Sequence, residues 1–478
     1  MSRVIELFEQ LSRIPRPSKK EEKIREWVLD YAQRAGYESR TDSAGNVLLR
    51  VPPSPGCEDG ETVILQGHLD MVGEKRPHSS HDFEADPLQL EYDGEWLSAK
   101  DTTLGADNGI AVALALAFAE DAKARRPPLE LLFTVDEETG LTGATKLDEK
   151  LLTGRVLLSL DSEEMGSFTV GCAGGRSSTI TLEKTTGPIA SGERPRRIVV
   201  SGLLGGHSGV DIKLQRGNAN VLLGRALRSL GKRGSLRIAS VSGGNAHNAI
   251  PRDAEARIVV DPGVEAIIES EMKAMQEAFR RELAATDPEV SISVSKESEM
   301  PREAYSAEST ARLANLLVAI PHGVFRYSSE IPGLVETSGN LATVSSEDGG
   351  IKVLVSQRSS SKAHLDVVAD KIAAIAEANG CNIESGSEYP SWEPDFDAAI
   401  IRRAREAHFK LFGEEPTVEV IHAGLEAGVI GAKYPGMEMI SFGPRIEQAH
   451  SPDERLHLPS VEPTYRLLAE IAGSYCPA

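Results

Sequence analysis

Three apolar runs, each too short to make a helix and each stopping at acids or a histidine, narrow the folds open to this chain. Residues 62–66 lead into His68 and Asp70, residues 129–135 into Asp136, Glu137 and Glu138, and residues 156–160 into Asp161. With Val47–Val51 they read as buried strands, and an alanine-rich stretch over 110–120 reads as a helix between the second and third of the four. Strands alternating with helices predict an α/β sheet, in which ligands bind in the crevice at the carboxyl ends of the strands. Asp107, in Thr103-Leu104-Gly105-Ala106-Asp107-Asn108-Gly109 ahead of that helix, adds another acid. The sequence therefore predicts a carboxylate-rich pocket.

Helical spacing also marks 2–14 and 20–36, with Ile24, Trp27, Val28 and Tyr31 on one face, and the breaker-rich Pro15-Arg16-Pro17-Ser18 separates the two helices. Over 187–195 the text turns rich in Gly, Pro, Ser and Arg. Beyond it, alternating segments such as 197–202 and Ala254–Val260 accompany an amphipathic helix over 264–282, a separate α+β unit. A region ending at 380–392 returns the chain to helical text over 396–411 and then to a His- and Gly-rich closing segment, 421–457. At 478 residues the chain is about three times a typical domain, so two or three domains are expected.

The balance of 52 Lys+Arg against 72 Asp+Glu gives a net charge of −20 with no long basic run, which argues against nucleic acid and anionic membrane as partners. No stretch of about 18 apolar residues suggests a membrane span, and the amphipathic N-terminus MSRVIELFEQLSR lacks the layout of an export signal. Cys57, Cys172, Cys381 and Cys476 lie far apart without a CxxC, so neither a disulfide framework nor a thiolate zinc site is expected. An acidic, soluble enzyme in the reducing cytoplasm fits these features.

Carboxylates gathered at strand ends repel one another, and a divalent cation relieves that repulsion. Oxygen and imidazole donors without thiolate suit zinc, manganese or cobalt at a catalytic site. With Asp107, Glu138 and Asp161 as ligands beside two neutral histidines, three negative charges would face two divalent ions, and one bridging hydroxide would make the cluster neutral. Taken singly, each residue reads equally as a turn former or a solvated side chain, and Asp136-Glu137-Glu138 as a helix N-cap. His78 and His81 read as part of a solvated polar loop. There is no HExxH and no phosphate-binding GxxxxGK[ST], and Gly206-His207-Ser208-Gly209 does not complete a nucleophile elbow.

The strings GHLDMV, TTLGADNGIA, DEETGLTGA, LDSEEMG, GGHSG, NAIPR, VETS, HAGLEAG and HSPDE, in that order from residue 67 to residue 454, resemble those of the bacterial aminoacyl-histidine dipeptidases. These form the Xaa-His, carnosinase-type branch of the co-catalytic zinc peptidases that include carboxypeptidase G and aminoacylase. Where the family commonly reads HAGLECG, this chain has Ala427 in place of Cys. The resemblance implies an α/β zinc-peptidase catalytic domain, a mixed sheet flanked by helices, made of residues 1–186 and 391–478. An α+β lid and dimerisation domain, 187–390, would be inserted between them.

It also implies two divalent ions per subunit, bridged by Asp107, with His68 and Asp161 on one and Glu138 and His450 on the other. Asp70 would orient His68, and Glu137 would be the general base for a water bridging the ions. His207, Asn248 and Arg358 in the lid, with Gly424, would bind substrate in a homodimer. The implied reaction is hydrolysis of an unblocked dipeptide, Xaa-His and β-alanyl-histidine among them. An N-acyl amino-acid deacylase or tripeptide aminopeptidase would use the same site, and a non-catalytic peptide-binding protein would have no need of Glu137.

Overall fold

The computed structural model describes residues 2–477 and divides into two compact units. The first takes the chain up to Cys172, then Trp392–Val420, and resumes at Leu425. Its eight-stranded sheet runs Glu38–Thr41, Val47–Val51, Leu129–Thr134, Val63–His68, Val156–Ser159, Glu438–Ser441, Ser167–Cys172, Thr417–Ile421. The four middle strands, from Leu129–Thr134 to Glu438–Ser441, are parallel, with antiparallel strands on either side. The Val63–His68 and Leu129–Thr134 strands are buried along their whole length, as befits mainly apolar strands covered on both faces.

The helix Ala106–Glu120 is apolar all round and buried from Gly109 to Ala119, so it lies inside the unit rather than on its surface. Its regular helical geometry begins near Gly109, close to where the alanine-rich text places it, because Asp107 and Asn108 before it have non-helical backbone angles, and Gly105 at φ +65° turns the chain into this segment. A four-stranded sheet, Ile446–Glu447, Arg455–His457, Trp96–Ala99 and Leu90–Asp93, joins two stretches far apart in sequence. The Trp96 ring is flanked by Arg455 at 4.1 Å and Arg445 at 5.4 Å, and Glu447 pairs with both guanidiniums.

The cysteine reading needs one correction. Cys57 and Cys476, 419 residues apart, form a disulfide, while Cys172 and Cys381 are free and buried. The helix Leu458–Gly473 delivers the C-terminal residues to the 57–61 loop, where Glu61 N–H also donates to the Tyr475 carbonyl. Sequence spacing carries no trace of that approach, and the cysteines no longer argue for a reducing compartment.

The second unit holds Ala173–Ser391 and Ile421–Gly424. Its nine-stranded sheet is antiparallel and runs Ser291–Lys296, Arg194–Ser201, Ala254–Val260, Leu236–Gly243, Val335–Glu347, Gly350–Ser359, Gly174–Leu182, Asn382–Tyr389, with Gly323–Tyr327 beside Val335–Glu347. The helices Ala219–Gly231, Pro262–Glu282, Ala307–Ala319 and Lys362–Ala378 contribute Leu223, Val264, Leu317 and Ile372 to its core. The Gly/Pro-rich stretch at 187–195 lies within this unit. Only Ala173 separates the last strand of the first unit's early segment from the first strand of the second.

Candidate active site

The parallel strands of the first unit end together. His68 is the last residue of Val63–His68, Asp161 follows Val156–Ser159, and Glu137 and Glu138 occupy the turn after Leu129–Thr134. In that turn Asp136 has φ +50° and accepts the Thr139 hydroxyl at 2.6 Å. Asp107 stands at the start of the Ala106–Glu120 helix. His450 lies in the loop between Ile446–Glu447 and Arg455–His457, at φ +61°.

These side chains converge into two groups that share Asp107. Donor atoms of His68, Asp107 and Asp161 lie within 4.8 Å of one another, as do those of Asp107, Glu138 and His450. The two oxygens of Asp107 face opposite ways: Oδ1 is 3.1 Å from His68 Nε2 and Oδ2 is 3.0 Å from His450 Nε2. Each of those nitrogens also meets a second carboxylate, Asp161 at 3.7 Å for His68 and Glu138 at 3.1 Å for His450. One imidazole nitrogen facing two carboxylates suits ligation to a shared cation better than a hydrogen bond, which it can donate to only one. Glu138 Oε1 is buried without a hydrogen-bond partner among the described residues. An oxygen and imidazole set with an orphaned buried carboxylate oxygen fits divalent metal.

Asp70, fully buried, ties this edge together. Its carboxylate accepts the N–H groups of Glu137 at 3.0 Å and Glu138 at 3.2 Å and the Ser18 hydroxyl at 2.8 Å. Its Oδ1 is 3.4 Å from His68 Nδ1, whose nearest acceptor is the Asp70 carbonyl at 3.1 Å. One side chain thus braces an imidazole and the backbone of both glutamates.

The electrostatics follow from crowding. Burial lifts Glu137 well above the carboxylate range, with Asp161 and Glu138 adding to it and His68 opposing. Asp161 is pushed up to about 7 by burial, then by Asp107 and Glu138 against His68. The hydrogen bonds to Asp107 and Glu138 hold His450 up at about 11. Burial works against Asp70, yet His68 and the Glu137 amide bring it down to about 2.

Of the residues expected to bind substrate, His207, Arg358 and Gly424 form a cluster in the second unit. Arg358, buried, donates to the Tyr389 hydroxyl at 2.6 Å, and the Tyr389 ring covers Gly424 so closely that a Cβ there would meet it at 2.6 Å. His207, in the short strand Gly206–His207, accepts the Val210 N–H through Nδ1 at 3.1 Å. Burial and Arg358 lower His207 to about 4, so it is neutral at neutral pH. The Asn248 carbonyl accepts the Ser208 N–H at 2.8 Å while the residue itself is exposed.

Three features escaped the sequence reading. His422 bonds Ser338 at 2.8 Å and is lowered to about 3 by burial and by Arg358 and His207, which adds it to the cluster of the second unit. Glu426 is buried in the first unit, accepts from Gln66 at 2.7 Å and from the Thr134 hydroxyl, and is pushed up to about 8, by burial above all. Both sit in the HAGLEAG string. The 80–84 loop, read as solvated surface, helps line a cavity of about 750 Å³ with Pro17, Met71, Phe83 and Glu138 among its walls.

Residues 64–474 match the model of peptidase family M20/M25/M40. The chain belongs to this family. It is 37% identical to the cytosol non-specific dipeptidase of Escherichia coli (strain K12) over 466 residues, 98% of this chain and 96% of that one. The crystal structure of aminoacylhistidine dipeptidase from Vibrio alginolyticus matches with a TM-score of 0.88 at 36% identity, covering 100% of this chain and 97% of that one. Aminopeptidase PepT from Bacillus cereus ATCC 10987 shares the fold, with a TM-score of 0.58 at 14% identity over 99% of this chain and 98% of its own. The α/β catalytic fold with an α+β lid domain is therefore that of the M20 peptidases, and the chain is a metal-dependent peptidase.

If Asp107 is shared by the two donor groups, its removal predicts a joint loss. Asp107→Ala should weaken both ions together, because one side chain faces both donor groups at the ~3.5–4 Å ion spacing of two-metal sites. Metal titration of the chelated protein measures this. A variant that keeps one ion at wild-type affinity would contradict a bridging Asp107.

Proposed function

We propose that this M20 peptidase is a cytoplasmic dipeptidase hydrolysing unblocked dipeptides, with Xaa-His substrates and β-alanyl-histidine among them. It would use two divalent ions per subunit, zinc in the first place, with cobalt and manganese accepted by the same donors. The observation that carries the reading is Asp107, whose two oxygens each face one histidine–carboxylate pair. The named activities of the Escherichia coli and Vibrio relatives support the substrate class, and the cytosolic location named for the former supports the compartment.

In this reading His68 and Asp161 hold one ion with Asp107, and Glu138 and His450 hold the other. The ions, when bound, polarise the scissile carbonyl and lower the pKa of water. Glu137 takes the proton of the attacking water and returns it to the leaving amine. Donor atoms of Glu137, His68 and Glu138 lie within 4.8 Å of one another, which sets Glu137 beside both proposed ion positions, where a base for that water is needed. Asp70 fixes the backbone of Glu137 and Glu138 by accepting both N–H groups and steadies His68 from behind.

Arg358 would offer a planar cation for the free carboxylate of a dipeptide and so set substrate length, with Asn248 and Gly424 as further binding residues and His207 as an oxyanion donor. His207 in its glycine-flanked turn would serve the other subunit of a homodimer.

Two experiments test this. Wild type should release free histidine from β-alanyl-histidine or Gly-His and lose that activity with chelator, whereas Glu137→Ala should keep its metal and lose ~10²–10⁴-fold in kcat. Cleavage of tripeptides or acyl amino acids instead would move the substrate class, and loss of an ion from Glu137→Ala would exchange the roles of Glu137 and Glu138. Mixing His207→Ala with Glu137→Ala subunits should restore up to about a quarter of wild-type activity, since half of the dimers are mixed and each holds one intact site. Exchange of subunits without rescue would place His207 at its own chain's site or outside catalysis.

A further inference from the structure

Two buried charged side chains, Arg16 and Glu454, lie behind the proposed ligands. Glu454 is 2% exposed and its carboxylate takes four consecutive backbone N–H groups: Oε2 accepts from Leu104 at 2.8 Å and Gly105 at 3.0 Å, Oε1 from Ala106 at 2.8 Å and Asp107 at 3.3 Å. Arg16 is equally buried and works on the carbonyl side. Its Nη1 donates to the Leu69 and Asp70 carbonyls at 2.9 and 3.0 Å, and its Nη2 to the Gly105 carbonyl at 2.5 Å. Gly105 is therefore gripped at its N–H by Glu454 and at its C=O by Arg16.

The glycines of the TTLGADNG string make room for this clamp. A Cβ on Gly105 would lie 2.7 Å from Arg16 Nη2, and one on Gly109 2.5 Å from the same atom. Glu454 also places its own loop: His450 precedes it in HSPDE, so the residue that fixes the Asp107 backbone is chained to the last proposed ligand.

We infer that Arg16 and Glu454 are positioning residues of the two-ion site: one guanidinium and one carboxylate lock the His68–Asp70 turn, the 104–107 backbone and the His450 loop into one frame. The inference rests on the two-ion reading. The carboxylate is required chemically, because its two oxygens are both acceptors, whereas the nearly isosteric amide would aim its own N–H groups at two of the four donors. Arg16 is required by shape, since a lysine ammonium cannot span three carbonyls in a planar fork.

The test uses full-length protein stripped with chelator and titrated with Co²⁺ or Zn²⁺ against a chromophoric competitor, the Co²⁺ absorption spectrum being recorded alongside. Glu454→Gln and Arg16→Lys should each bind metal roughly 10–100-fold more weakly, with a changed Co²⁺ spectrum and unchanged circular dichroism. Leu467→Ala, in the core of the C-terminal helix, should lower the thermal midpoint and leave metal affinity alone. If Glu454→Gln does not fold, Arg16→Lys, which keeps the buried charge, decides by the same readout. Wild-type affinity and spectrum in the folded variants, whatever their thermal midpoints, would overturn the inference alone. Fewer than two ions in wild type would overturn it together with the two-ion reading.

Discussion

Repulsion among carboxylates at one sheet edge is the constraint on which this molecule turns. Asp70, Asp107, Glu137, Glu138 and Asp161 meet around a single buried histidine, His68, with the exposed His450 reaching in from outside. Two imidazoles cannot neutralise that many acids. The upward push on Glu137 and Asp161 is the sign of an unbalanced cluster that a pair of divalent cations would settle. Crowding of this kind costs folding free energy, and the rest of the catalytic unit reads as the apparatus that holds it in place.

Each part of that apparatus is backbone-directed. Parallel strands bring His68, the 136–138 turn and Asp161 to one edge, because parallel pairing aligns their carboxyl ends. Asp70 then holds the amides of Glu137 and Glu138, and Glu454 those of 104–107. His450 comes from the four-stranded sheet in which Trp96 meets the guanidiniums of Arg445 and Arg455. Such a division of labour leaves Asp107, Glu138 and Asp161 free to face the two histidines.

Much of this arrangement is legible in the amino-acid sequence. The run at Val47–Val51 is a strand with those bounds, and the acids after residues 62–66, 129–135 and 156–160 meet as their positions at strand ends imply. What stays hidden depends on contacts between distant segments. The four amides of 104–107, just ahead of the alanine-rich helix, are taken by Glu454, hundreds of residues away. Pro15-Arg16-Pro17-Ser18 reads as a breaker, and nothing local reveals that its arginine is buried against two other loops. The sheet joining 90–99 to 446–457 has short, partly exposed strands with no periodic signal of their own. Cys57 and Cys476 pair only because the C-terminal helix ends beside the 57–61 loop. Glu426 and His422 stand in a string that the resemblance already contained, yet burial and partners, not residue type, single them out.

The central claim, that one carboxylate joins two ions, is tested most directly by anomalous diffraction from crystals of the zinc-loaded enzyme. The account predicts two peaks per chain, each about 2.0–2.2 Å from a different oxygen of Asp107, with His68 and Asp161 on one and Glu138 and His450 on the other. A single peak, or two peaks of which only one touches Asp107, would contradict it.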